Sequence, residues 1–304
     1  MAKTLHKKYQ AGQPIYFCKG SYLDRSSQPV YSLLFLLPFI IFYELGTIFI
    51  SSELVHQWHI RVVAFVWLQS FAMYLGLTGR AAWLMAPLIV VVILVALQMA
   101  SRKPWIVRPQ DFLPMTAECV ILAIPLLVLS TVLSGASSAG SQRQLAGEVT
   151  TLSACQYPPA EQPALSRLAA GSAEKAAPKG ALLVSVVTGV GAGIYEEFLF
   201  RLVLISLLML LLQDVLGLND VVAVALAVSL SALLFSLHHH ILLLDGQLQK
   251  GEAFTAWAFA FRTAAGVYFA ALFAIRGFGI AAGTHACYDI IAAFLNIVVS
   301  TANS

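Results

Sequence analysis

Apolar residues run in long blocks along this chain, and the polar residues between them come in short clusters. The blocks fall at 31–50, 62–79, 81–100, 112–133, 181–218, 221–244, 254–275 and 277–299. A helix needs about 20 predominantly apolar residues to cross a hydrocarbon core of about 30 Å. The blocks meet or approach that length, and no transmembrane β signal and no fixed-period repeat accompanies them. The pattern predicts an all-α fold, a polytopic transmembrane helical bundle of about 8–9 spans. The count depends on the block at 181–218. As one straight helix at 1.5 Å per residue it would measure about 57 Å. It is therefore two spans, or one span that is strongly tilted and broken.

The polar breaks divide the chain. Residues 1–30 form a basic tail, and 31–133 a first transmembrane module of about four spans. Residues 134–180 are rich in Ser, Ala, Gly and Pro and lack helical periodicity, as a loop or linker would be. Residues 181–300 form a second transmembrane module. Lys3, Lys7, Lys8, Lys19 and Arg25 stand against Asp24 alone in the tail, which favours a cytoplasmic N-terminus. Three full spans would then place Arg102, Lys103 and Arg108 outside, against the same rule. Either one early block is re-entrant or interfacial, or the tail alone sets the orientation.

Composition narrows the class. The chain is 59% hydrophobic and 11% charged, where a soluble domain carries about 25% charged residues. This is an integral, multi-pass membrane protein with the lipid bilayer as its surroundings. A net charge of +3 gives no reason to expect nucleic acid. The four cysteines are scattered without a CxxC, so neither a disulfide framework nor a zinc ribbon is indicated.

Candidate chemistry concentrates in the second module. Glu196 and Glu197 lie side by side in an apolar run with Arg201 four residues on. Acidic residues at membrane depth cost roughly 2.5–3.5 kcal/mol even on lenient scales, and they mark functional sites by default. On a helix, Glu197 and Arg201 share a face while Glu196 turns about 100° away. Arg201 is thus expected to compensate Glu197 and leave Glu196 free for chemistry. The plain alternative is a structural ion pair between helices. Phe235 and His239 are also four apart, on the following span; His238 and His240 step around the axis and read as an interfacial cluster. His285 and Asp289 form a third such pair on the last span. Glu44, Glu118 and Arg262 lie outside these pairs and have no assigned role.

This ordered set, EExxxR (Glu196, Glu197, Arg201), FxxxH (Phe235, His239) and HxxxN/D (His285, Asp289), resembles the CPBP family. That family holds the type II CAAX prenyl proteases and the abortive-infection and lysostaphin-resistance-like proteins. The resemblance covers about residues 181–297. It implies an intramembrane endopeptidase in which Glu196 takes a proton from water and His239 orients that water. His285 and Asp289 would lie near the developing oxyanion, and Glu197, Arg201 and Phe235 would organise the site. Asp289 stands where prenyl-protein endopeptidases of the family carry Asn, and an ionised Asp accepts hydrogen bonds without donating them.

The resemblance implies no cofactor. Zinc held by Glu196, His239 and His285 is the alternative, although no HExxH is present. The expected partner is a membrane-associated protein or peptide, cut near its C-terminus or leader. The expected location is a bacterial cytoplasmic (inner) membrane. Two other functions use the same polar groups. A proton-coupled transporter would employ intramembrane Glu, His and Arg, and would also find work for Glu44 and Glu118. A non-catalytic scaffold would bind a membrane partner through them.

Overall fold

The computed structural model describes residues 17–53, 62–77, 80–137, 178–244, 247–250 and 254–302. The short helix α1 (Tyr22–Ser26) leads into α2 (Pro29–Glu53), α3 (Val63–Tyr74), α4 (Arg80–Ser101) and α5 (Phe112–Ser137). The second half holds α6 (Pro178–Glu197), α7 (Asp220–Leu237), α8 (Ala256–Arg276) and α9 (Phe278–Ala302). A two-stranded antiparallel hairpin, β1 (Ile241–Leu244) and β2 (Gln247–Lys250), sits between α7 and α8. The architecture is the expected helical bundle. Most of the expected linker, residues 138–177, lies outside the described residues, as do residues 1–16 of the tail.

Seven helices among the described residues are long and apolar enough to span a membrane, fewer than the eight or nine expected. Two blocks account for the difference. The block at 62–79 yields only α3, whose 12 residues reach about 18 Å at 1.5 Å each, short of a hydrocarbon core of about 30 Å. The block at 181–218 is one span, not two. From α6 the chain continues without interruption through a π-helical turn (Phe198–Leu204), an α-helical turn (Ile205–Met209) and a second π-helical turn (Leu210–Val215). The block at 221–244 is also shorter than its apolar length. Its helix stops at Leu237, and the remaining apolar residues become β1.

The short α3 removes the charge conflict. With α3 not crossing, α2 leaves one end of the bundle and α4 returns to it. The contacts agree: Arg25 pairs with Asp111 at 2.7 Å and Lys103 with Asp24 at 3.5 Å. The Val30 amide donates to Gln98 Oε1 at 3.1 Å. The N-terminal segment and the Arg102–Arg108 loop thus share one end, as the positive-inside rule requires.

The core is built around α9. Within its apolar window 72% is buried, against 22–39% for the other spans. It packs on α6, α5, α8 and α2. Small residues make the closest approach. A Cβ on Gly193 of α6 would lie 2.6 Å from the Ala286 backbone nitrogen and 2.8 Å from the Ala282 carbonyl of α9. Such contact between backbones is how helices associate where no water drives them together. Large apolar side chains such as Phe49, Ile121 and Val298 face outward, as lipid contact requires.

Glu118 has a structural role at the basic end. Arg276, at the end of α8, donates to Glu118 Oε2 at 2.8 Å, to Ser26 Oγ at 2.9 Å and to the Leu23 carbonyl at 3.2 Å. Tyr22 OH donates to Glu118 Oε2 at 2.7 Å. Burial and the Glu118 carboxylate push the Tyr22 phenol above its ordinary range, so it remains a donor. These bonds tie α1 to α5 and α8. Arg276→Ala is expected to release α1, because each hydrogen bond to a charged group contributes about 1.5–3 kcal/mol. Faster tryptic cleavage after Lys19 and Arg25 is the measurement. Unchanged cleavage would show that α1 is held by its apolar contacts instead.

Candidate active site

Glu196 and Glu197 end α6 where the helix widens into its first π turn. Such turns occur frequently at functional sites. Glu196 is 2% exposed, and Glu197, Arg201 and His285 are fully buried. The i,i+4 pairing read from the sequence survives the widened turn: Arg201 Nε lies 3.1 Å from Glu197 Oε2. The guanidinium also lies 4.2 Å from the centre of the Phe235 ring and 5.5 Å from that of Phe269, and Nη2 donates to the Gly266 carbonyl at 3.4 Å. Arg201 is therefore held by a carboxylate on one side and aromatic faces on the other.

Glu197 serves two partners. Its other oxygen, Oε1, accepts from His285 Nδ1 at 2.8 Å. The opposite ring nitrogen, Nε2, lies 3.6 Å from Asp289 Oδ2. The stronger contact on His285 thus comes from Glu197, which fixes the ring orientation, and Asp289 takes the second, looser position. The His285 ring also stacks on Phe269 of α8 at 4.5 Å.

Glu196 faces the other way, as expected. Its Oε2 is buried and makes no hydrogen bond among the described residues. Its Oε1 lies 3.8 Å from His238 Nε2. Helical stepping sets His238 apart as part of an interfacial cluster, and the structure instead places it in the site. The 100° steps do not apply here, because α7 ends at Leu237 and His238–His240 form a turn. His238 and His239 both donate from Nδ1 to the same carbonyl, that of Phe235; the His239 bond is 3.0 Å. A carbonyl only accepts, so each ring carries its proton on Nδ1 and, when neutral, presents a lone pair on Nε2. His240 turns to Phe254 and Phe259 and belongs to the packing.

Phe235 connects the three motifs. Its ring lies 5.5 Å from His239, 6.1 Å from His285 and 5.5 Å from Phe200, and beneath Arg201. Trp67 of the short α3 closes the far side, 5.9 Å from His238 and 6.3 Å from Phe200. Its role carries no sequence signal, since an isolated Trp in an apolar run reads as lipid anchor or core. Tyr195, next to Glu196, donates to Glu44 Oε1 at 3.1 Å. Glu44 thereby gains a place beside the site.

One group of side chains among the described residues has the donor spacing for a metal ion: Glu196, His238 and His239, with ligand atoms within 4.8 Å of one another. The donor types suit zinc, and both imidazoles present Nε2 lone pairs. The set differs from the alternative read in the sequence, Glu196, His239 and His285: His238 takes the third place, while His285 pairs with Glu197 through Nδ1.

A helical membrane bundle with a buried carboxylate, imidazoles and a compensating guanidinium defines a class, the polytopic proteins with an intramembrane polar site. Comparison with known families adds one likeness. Residues 178–291 match the family model described as type II CAAX prenyl endopeptidase Rce1-like. The match covers all three motifs and supports a membrane protease. No curated protein and no solved structure shows a significant match to the chain.

Proposed function

We propose that this protein is an intramembrane endopeptidase that uses glutamate-activated water to cut a membrane-associated protein or peptide near its C-terminus or leader. In this reading residues 181–300 are the catalytic module, 31–133 support it, and the setting is a bacterial cytoplasmic membrane. The observation that carries the proposal is the grouping of Glu196 with two neutral-capable imidazoles around Phe235, with His285 beside it. Glu196 removes a proton from water whose position is set by Nε2 of His239. The hydroxide adds to the scissile carbonyl. His285, protonated on both ring nitrogens between Glu197 and Asp289, donates from Nε2 to the developing oxyanion, and Glu196 returns its proton to the leaving amine. Positioned proton transfer of this kind contributes about 10²–10⁴ in rate.

The two carboxylates outside the motifs that a transporter would employ are engaged in side-chain hydrogen bonds. Glu118 is bound by Arg276, and Glu44 accepts from Tyr195. The direct test of the protease is a comparison of membrane proteins from cells carrying wild-type protein or Glu196→Gln. A longer form of some membrane protein in the variant is the expected result. A change in solute uptake alone would favour the transporter.

The donor set of Glu196, His238 and His239 supports a second reading. Zinc held there would polarise the carbonyl and lower the pKa of its bound water. It would also occupy the base. Activity is expected to persist after exhaustive chelation, because Glu196 and His239 suffice for water activation. Loss on chelation, with recovery on adding zinc, would transfer the mechanism to the metal.

Asp289 offers a further test. Its carboxylate lies 3.6 Å from His285 Nε2. If it orients that ring, Asp289→Asn keeps the shape, loses the charge and lowers turnover modestly. Turnover at or above wild type for Asp289→Asn, with Asp289→Ala inactive, would make it a donor to the oxyanion instead.

A further inference from the structure

The chain leaves α7 through His238 and His239 and, two residues later, enters β1. The β1–β2 ribbon pairs Ile241 with Lys250, Leu242 with Gln249, Leu243 with Leu248 and Leu244 with Gln247. Among the described residues the sheet has only these two strands. Pairs in an antiparallel ladder alternate between hydrogen-bonded and non-hydrogen-bonded. Alternate residues of β1 therefore turn their N–H and C=O groups to its outer edge. An isolated two-stranded ribbon is marginal in water. An open edge is costlier still where a bilayer excludes water. Ile241, which opens β1, is exposed.

We propose that the outer edge of β1 binds the substrate, adding the extended backbone beside the scissile bond as a third strand. This rests on the peptidase reading above. The occupant follows from position. Ile241 is two residues beyond His239, so their backbones are at most about 7 Å apart. A strand added at about 4.8 Å from β1 would have one end close to His239, one of whose ring nitrogens lies within 4.8 Å of the Glu196 carboxylate. The peptide bond to be cut must also be extended, since a helix hides its carbonyls within its own hydrogen bonds. Edge pairing reads the backbone and leaves alternate side chains to neighbouring surfaces. The substrate class is thus a membrane-tethered chain whose cut segment is free of helix and of proline at the pairing positions.

The test uses the full-length protein in detergent and, as probe, a quenched fluorescent peptide ending in an S-farnesylated CAAX sequence. Amide hydrogen exchange is measured on Glu196→Gln with and without the probe. Separately, the wild-type KM is measured for probes carrying single backbone esters in place of successive amides. Slower exchange of alternate β1 amides, by on the order of tenfold, is expected, with KM raised by esters at every second residue. Cleavage of the probe by wild type without β1 protection and without that period of two overturns the edge proposal and leaves the peptidase reading standing. Failure of wild type to cleave the probe removes prenylated CAAX chains from the peptidase reading, and the edge proposal, committed to the segment this probe presents, falls with it.

Discussion

Glu196→Gln is expected to lower turnover by about 10²–10⁴ while the protein stays folded. The amide keeps the shape of the side chain and removes only its basicity. The structure makes the two effects separable. Glu196 Oε2 makes no hydrogen bond among the described residues, and Oε1 lies 3.8 Å from His238 Nε2. Little of the fold therefore depends on its charge. Cleavage of a quenched CAAX peptide by the purified variant, beside its thermal unfolding, measures both. Turnover close to wild type would move the base elsewhere, with His238 and His239 the groups in reach.

Arg201→Ala is expected to do the opposite and remove folded protein from the membrane. Arg201 and Glu197 are both fully buried, 3.1 Å apart. Removing one partner of a buried pair costs about 3–5 kcal/mol, because it leaves the other charge uncompensated. That is a large share of a typical stability of about 5–15 kcal/mol. Lys at this position is expected to rescue little, since the planar guanidinium is stacked on Phe235 at 4.2 Å. Replacing both charges, as Glu197→Gln with Arg201→Met, should recover abundance without activity. The yield of folded protein after detergent extraction decides this. Equal yields for wild type and Arg201→Ala would show that the pair does not hold the fold.

The sequence and the structure part company at specific places. Block lengths identify the membrane spans but give more of them than the seven found among the described residues. The apolar run around α3 is long, yet only 12 of its residues form the described helix, and hydropathy does not record where a helix stops. The run at 181–218 is a single span whose π turns absorb its length without ending it. His238 escapes the sequence reading because a helical step does not hold for residues beyond the helix end.

By itself, the sequence determined that the chain is a polytopic helical membrane protein and singled out three i,i+4 pairs of the second module as its candidate chemistry. Both follow from local physics: the length of apolar runs, and the cost of charge at membrane depth. The i,i+4 relation of Glu197 and Arg201 belongs to the same level, since one helix turn sets it. Only the tertiary structure decided which groups meet between helices. It gave His285 to Glu197, brought His238 beside Glu196, set Trp67 of α3 against His238, and bound Glu118 to Arg276. The physical reason is that such contacts depend on how closely backbones approach. Gly193 against Ala282 and Ala286 sets that distance, and its effect appears only when α6 and α9 are packed together.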